Sequence, residues 1–99
     1  MTYIIYHTET DTYLYVYESN SDGYSFKWGT DIELAISVRE SQLDKIIEMV
    51  NCNKVIPNVP MLEFSLYEYI ITNDLKLNVI FVPLDNSRNT DFINAVNLR

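Results

Sequence analysis

His7 and Cys52 are the only histidine and the only cysteine in this 99-residue chain. A nucleophilic thiol needs an adjacent base, and a single imidazole needs a partner and a cleft before it can move protons. Cys52 falls just past an amphipathic segment, where the negative end of a helix disfavours a thiolate. His7 sits near the end of a first extended segment, beside Tyr6. One cysteine forms no internal disulfide and builds no cysteine metal site. The carboxylates are spread along the chain. Asp44 and Glu48 are four residues apart, the spacing of a solvated helix face rather than a site. "DTYLYVYESNSD" lacks the ligand spacing of a calcium loop. Gly23 and Gly29 are the only glycines, so no glycine-rich phosphate loop exists. The expectation is a protein without catalytic residues, metal or cofactor.

The other concentration of chemistry is aromatic. "YLYVYESNSDGYSFKW" places Tyr13, Tyr15 and Tyr17, then Tyr24, Phe26 and Trp28, at alternate positions on both sides of a turn. Alternation is the signature of a sheet, because successive side chains of a strand point to opposite faces. Leu14 and Val16 then take the core face, and the tyrosines the opposite one. Phe26 and Trp28 read as buried and Lys27 as exposed. A tyrosine row can serve as cross-strand packing. It can also serve as a contact surface, since Tyr offers rigid area and a hydroxyl at low entropy cost. Glu9, Asp11, Glu18 and Asp22 lie in or beside the flanking turns, and no Lys or Arg precedes Lys27. The candidate partner-binding residues are therefore Tyr13, Tyr15 and Tyr17 with an acidic rim of Glu9, Asp11, Glu18 and Asp22.

The elements that must position these residues follow from periodicity. Residues 2–8, 12–18 and 24–28 read as three antiparallel strands, joined by turns at Asp11 and at Asp22-Gly23. Thr30 and Glu33 have the spacing of a capping box, which predicts a single helical turn near 31–35. "ISV" reads as a brief extended piece. Leu43, Ile46, Ile47 and Val50 form one apolar stripe, predicting a helix that starts near Glu40 or Ser41 and ends near Asn51 or Asn53. "NCNKVIPNVP" is a connector. Residues 62–72 read as a strand, with 75–83 as its hairpin partner and 85–90 as a polar loop. A short terminal helix follows, capped by Thr90, with Phe92, Ala95 and Val96 inward. The predicted class is α+β, a single domain. An antiparallel sheet of about five strands in βββααββα order packs on one main amphipathic helix and a short C-terminal helix.

Composition narrows the partners. At 47% hydrophobic and 21% charged residues, the chain can fund a core. A net charge of −7 argues against a phosphate-backbone binder, which needs a basic face. The start "MTYIIYHTET" lacks the basic, apolar pattern of a signal peptide, so a cytoplasmic location is expected. No apolar run is long enough to span a membrane.

"YIIYHTETDTYLYVYE" and "SFKWGTDIELAISVRESQLDKII" resemble segments of small uncharacterised proteins encoded by bacteriophages and mobile elements. Those proteins place a Tyr-rich hairpin before an aromatic strand ending in Trp, then an "x-D-I-x-x-A" turn and an amphipathic helix. Trp28, Asp31, Ile32, Ala35, Val38, Leu43, Ile46 and Ile47 occupy these positions here, and the likeness covers residues 3–50. The resemblance implies a phage-type accessory protein in a host cytoplasm. It implies binding and inhibition of a host protein, a defence factor among the choices, while the acidic rim itself suits a basic groove such as that of a nucleic-acid-binding host protein. Two other readings stay open: a binder of a nucleotide signal, and a self-assembling module pairing as a homodimer through a sheet edge.

Overall fold

A computed structural model describes residues 1–85 and 89–98 of the chain. Six strands run through it: β1 (Thr2–His7), β2 (Thr12–Asn20), β3 (Gly23–Gly29), β4 (Ser37–Arg39), β5 (Val79–Leu84) and β6 (Val96–Asn97). A 3-10 turn at Ile32–Leu34 precedes β4, and two helices, α1 (Glu40–Cys52) and α2 (Met61–Thr72), separate β4 from β5. Every strand pairing is antiparallel. The fold is α+β.

The sheet is built around β1, whose Tyr3-Ile4-Ile5 run is buried on both faces. Along one side β1 pairs with β5 over its whole length, from Thr2 opposite Leu84 to His7 opposite Val79. Its other side is shared. Tyr6 and His7 pair with Tyr13 and Thr12 of β2, whereas Thr2, Tyr3 and Ile4 pair with Arg39, Val38 and Ser37 of β4. β2 leaves β1 beyond Tyr13, and the chain returns to fill the opening. The Ile36 N–H donates to the Leu14 carbonyl at 3.0 Å just before β4 begins. The strand order is β3-β2-β1-β5-β6, with β4 set beside β1.

Turn chemistry fixes the hairpins. Asp11 takes a left-handed conformation (φ 57°), and its N–H donates to the His7 carbonyl at 3.0 Å. Asp and Asn tolerate that region because their short polar side chains bond locally. The β2–β3 turn closes with the Asp22 N–H on the Asn20 side chain (2.8 Å) and Gly23 at φ 134°, which a side chain resists.

One face of the sheet carries both helices. Leu43, Ile46 and Val50 of α1 and Leu66 and Ile70 of α2 are buried against Tyr3, Ile5, Leu14, Val79 and Phe81. Each fully buried Leu or Ile there contributes about 1.5–3 kcal/mol. The helices are tied together at their starts. Glu63, 2% exposed, accepts from Gln42 Nε2 at 3.3 Å, and Gln42 Oε1 accepts the Arg39 N–H at 2.8 Å. At their ends, Asn53 (φ 51°) and Asp74 (φ 54°) take the left-handed position usually given to glycine. Lys54 N–H then bonds the Met49 carbonyl, and Leu75 N–H the Ile70 carbonyl.

Three sequence expectations are corrected. Residues 62–72 form α2, not a strand. The segment mixes Phe, Tyr and Ile, which favour strands, yet Leu62, Leu66, Tyr69 and Ile70 recur at helical spacing and meet α1 and β3. Tertiary packing overrides the β propensity, and β5 therefore pairs with β1 rather than forming a hairpin with 62–72. The terminal helix is absent. Thr90 bridges to Leu84, Phe92 lies half exposed, and Val96 belongs to β6. Asp91 accepts the next N–H groups as an N-cap would, but the chain is drawn into the sheet after one turn, because Val96 pairs with Phe81 of β5. The 3-10 turn is capped by Asp31, whose Oδ1 accepts the Glu33 N–H at 3.0 Å, rather than by Thr30. The polar loop expected over 85–90 includes residues 86–88, which lie outside the described residues. Among the described residues, no helix is long and apolar enough to cross a membrane.

Candidate interaction face

Among the described residues, neither α1 nor α2 packs on the second face of the sheet. Its floor is Ile4, Val82 and Leu84, buried with Ala35. Tyr6, Tyr13, Ile32, Ile80 and Ala95 pack on that floor and stay partly open. Two short segments shelter it: the 3-10 turn and the turn over 91–95.

The tyrosine row of β2 lies on this face and is divided. Tyr13 is half-buried, its ring 5.6 Å from that of Tyr6. Tyr15 is 8% exposed. Its ring covers Gly29, where a Cβ would stand 2.3 Å from ring Cε2, and its hydroxyl accepts the Asp31 N–H at 2.6 Å. Tyr15 pins the chain that follows β3 and offers little surface. Tyr17 is 66% exposed and is the extra residue of a bulge, because the register steps from Val16 opposite Phe26 to Glu18 opposite Ser25. Lys27 places its ammonium 5.3 Å from the Tyr17 ring centre. Such an exposed pair contributes about 0.5–1 kcal/mol.

The aromatic stripe of β3 points the other way. Tyr24 and Phe26 stack at 6.5 Å, and Phe26 and Trp28 meet Tyr69 of α2 at 5.1 and 6.4 Å. This stripe is the seat of α2. His7 is part of the framework too. Its ring meets Trp28 edge-on at 5.1 Å, and its Nδ1 accepts the Glu9 and Thr10 N–H groups.

The acidic residues fall in two places. Glu9 and Asp11 occupy the β1–β2 turn, where the Asp11 carboxylate accepts from the Tyr6 hydroxyl. That bond holds the Tyr6 hydroxyl in its neutral form and pushes its pKa up to about 12. Glu18 and Asp22 lie at the opposite end of β2, around the next turn. The expected rim is therefore split between the two ends of one strand.

Residues near the C-terminus complete the face; periodicity marks Phe92 as the inward side of a helix and leaves Ile93 unmarked. The Asp91 N–H donates to the Pro83 carbonyl at 3.0 Å, docking the turn on β5. Asp91 Oδ1 accepts the Ile93 and Asn94 N–H groups, and Oδ2 accepts the Asn94 side-chain amide at 2.6 Å. The Asn94 side chain first, and these backbone donors with it, hold the Asp91 carboxyl below its ordinary range. The turn lays Phe92 edge-on against Tyr6 at 5.0 Å. Phe92 is 47% exposed and Ile93 95% exposed. The one signal in sequence was Asp91 followed by Asn94, a turn pair that also reads as a helix start.

No family model, no curated protein and no solved structure matches this chain. Among the described residues, no three His, Cys, Asp or Glu side chains group as metal ligands do. The depression that holds tyrosines is lined by Tyr24, Ser65, Glu68, Tyr69, Thr72 and Asn73. Its volume is about 170 Å³, and its lining includes a carboxylate but no cation.

Proposed function

We propose that this chain is a non-enzymatic accessory protein that binds another protein and blocks it through the helix-free face of its sheet. The observation that carries the proposal is the Tyr6–Tyr13–Phe92 cluster. These are rings in tilted and edge-on contact beside a buried apolar floor, flanked by an Ile that is almost wholly in solvent. Rigid aromatic area beside an exposed aliphatic group is what binding hot spots are made of. Tyr13 and Tyr17 supply the contact surface on β2, and Tyr15, between them, holds the chain that follows β3.

The resemblance of residues 3–50 extends this proposal to a phage-type role. In that role the blocked partner is a host protein, and inhibition of a defence factor is the benefit. A nucleotide-binding role finds less support, because the tyrosine-lined depression carries Glu68 where a phosphate would need a cation. Self-assembly through β3 meets an edge whose first outward donor is taken, since the Tyr24 N–H bonds Ser65 Oγ of α2 at 3.3 Å.

The test is capture from bacterial lysate by the tagged protein and by its Tyr13→Ser/Tyr17→Ser variant. A partner held by the parent and lost by the equally folded variant supports the role. Equal capture by both removes this face from it.

A further inference from the structure

Three loops rim the helix-free face, and each brings a carboxylate. Asp11 comes from the β1–β2 turn, Asp31 from the chain after β3, and Asp91 from the turn before β6. Two of these loops also bring an exposed aliphatic side chain: Leu34 on the 3-10 turn, 63% exposed, and Ile93. Lys27 is turned onto Tyr17, further along β2. Apolar anchors inside an acidic margin are complementary to one kind of segment.

We infer that the occupant of this face is a cationic amphipathic segment of the partner protein, its apolar side on Phe92, Ile93 and Leu34 and its Lys or Arg side chains toward Asp11, Asp31 and Asp91. The inference rests on the protein-binding role proposed above. The carboxylates are already shaped as acceptors, because Asp31 and Asp91 each hold a backbone N–H of their own turn. A carboxylate has lone pairs for a further donor while it caps. The overall charge of −7 adds long-range attraction for a basic partner and repels a second copy of this chain.

The experiment uses three labelled peptides of equal length, read by fluorescence anisotropy. One is a Leu/Lys peptide with helical amphipathic spacing, the second the same composition scrambled, and the third a Leu/Glu counterpart. The amphipathic Leu/Lys peptide is expected to bind best and to weaken as salt is raised. Ile93→Ser and Leu34→Ser change exposed side chains and leave the charge alone. Each should weaken binding about tenfold, as loss of a hot-spot anchor does. Asp31→Asn/Asp91→Asn keeps both caps and removes two charges, for a loss of about threefold. Unchanged affinity in Ile93→Ser and Leu34→Ser, or equal binding of the scrambled or the Leu/Glu peptide, overturns the inference. A lysate partner that needs Tyr13 and Tyr17, in a protein that binds no Leu/Lys peptide, also overturns it while leaving the binding role intact.

Discussion

The Tyr15 hydroxyl accepts the Asp31 N–H at 2.6 Å, joining the middle of β2 to the chain that crosses toward β4. Tyr15→Phe removes the acceptor and leaves a part-buried donor unpaired, at a cost of about 1–2 kcal/mol. A lower urea midpoint with an unchanged slope is the expected result. Gly29→Ala should cost about 1–3 kcal/mol by forcing a methyl into the Tyr15 ring. The pair Tyr15→Ala/Gly29→Ala should cost less than the sum of its parts, because the ring that clashes is gone.

Alkaline stability depends on Tyr6. Its folded pKa, about 12, stands above the unfolded value of 10.0, chiefly through the bond to Asp11. The neutral hydroxyl therefore favours the folded chain. That contribution is complete below pH 10 and disappears as pH climbs to about 12. Tyrosinate absorbance should show late-titrating rings, because burial, with Glu40 and Asp44 nearby, raises Tyr3 as the Asp11 bond raises Tyr6; Tyr6→Phe should remove one of them and reduce the loss of stability over that window. A late phase of undiminished amplitude in Tyr6→Phe would show that Tyr6 is not among the late rings.

Acid acts at Asp91. Its folded pKa is lowered, so its contribution is present above the ordinary aspartate range and is lost as pH falls through the folded value. The 91–95 turn should loosen there. Proton NMR cross-peaks between Phe92 and Tyr6 should fade in acid while those of the helix-side core persist. Asp91→Asn keeps an acceptor for the turn and should keep the cross-peaks independent of pH.

α2 is held on β3 by Tyr69, which meets both Phe26 and Trp28. Trp28 is the only tryptophan, so its fluorescence reports this seam. Tyr69→Ala should shift the emission to longer wavelength and cost about 2–4 kcal/mol, in the range of aromatic truncation at a half-buried site. Ile93→Ser should leave both emission and stability within about 0.5 kcal/mol, as surface changes do.

α1 and the β2–β3 hairpin were legible because apolar residues recur toward one side of each. Leu43, Ile46 and Val50 return at helical spacing, and Leu14, Phe26 and Trp28 alternate toward the same core. α2 was illegible for the opposite reason. Met61, Phe64, Tyr67 and Ile71 are apolar on the side away from Leu66 and Ile70, so no stripe stands out and the strand-forming residue types dominate the reading. The site was half legible. Tyr13 and Tyr17 follow from alternation, but the burial of Tyr15 depends on a crossing chain that no local pattern announces. Phe92 and Ile93 join the face only because Asp91 docks on Pro83, a contact made when β5 and the terminal turn meet.

The pairing of Thr2 with Leu84 sets the order in which this molecule can be made. β1 is the strand on which β2, β4 and β5 all depend, and it leaves the ribosome before each of them. One of its sides can be occupied early, by the local hairpin and then by β4. The other stays open until β5 emerges, with both helices synthesised in between. A nascent chain therefore carries an unpaired Ile4-Ile5 edge from the emergence of β1 until that of β5. The demand for chaperones, and any aggregation, should concentrate in that interval rather than in the finished protein.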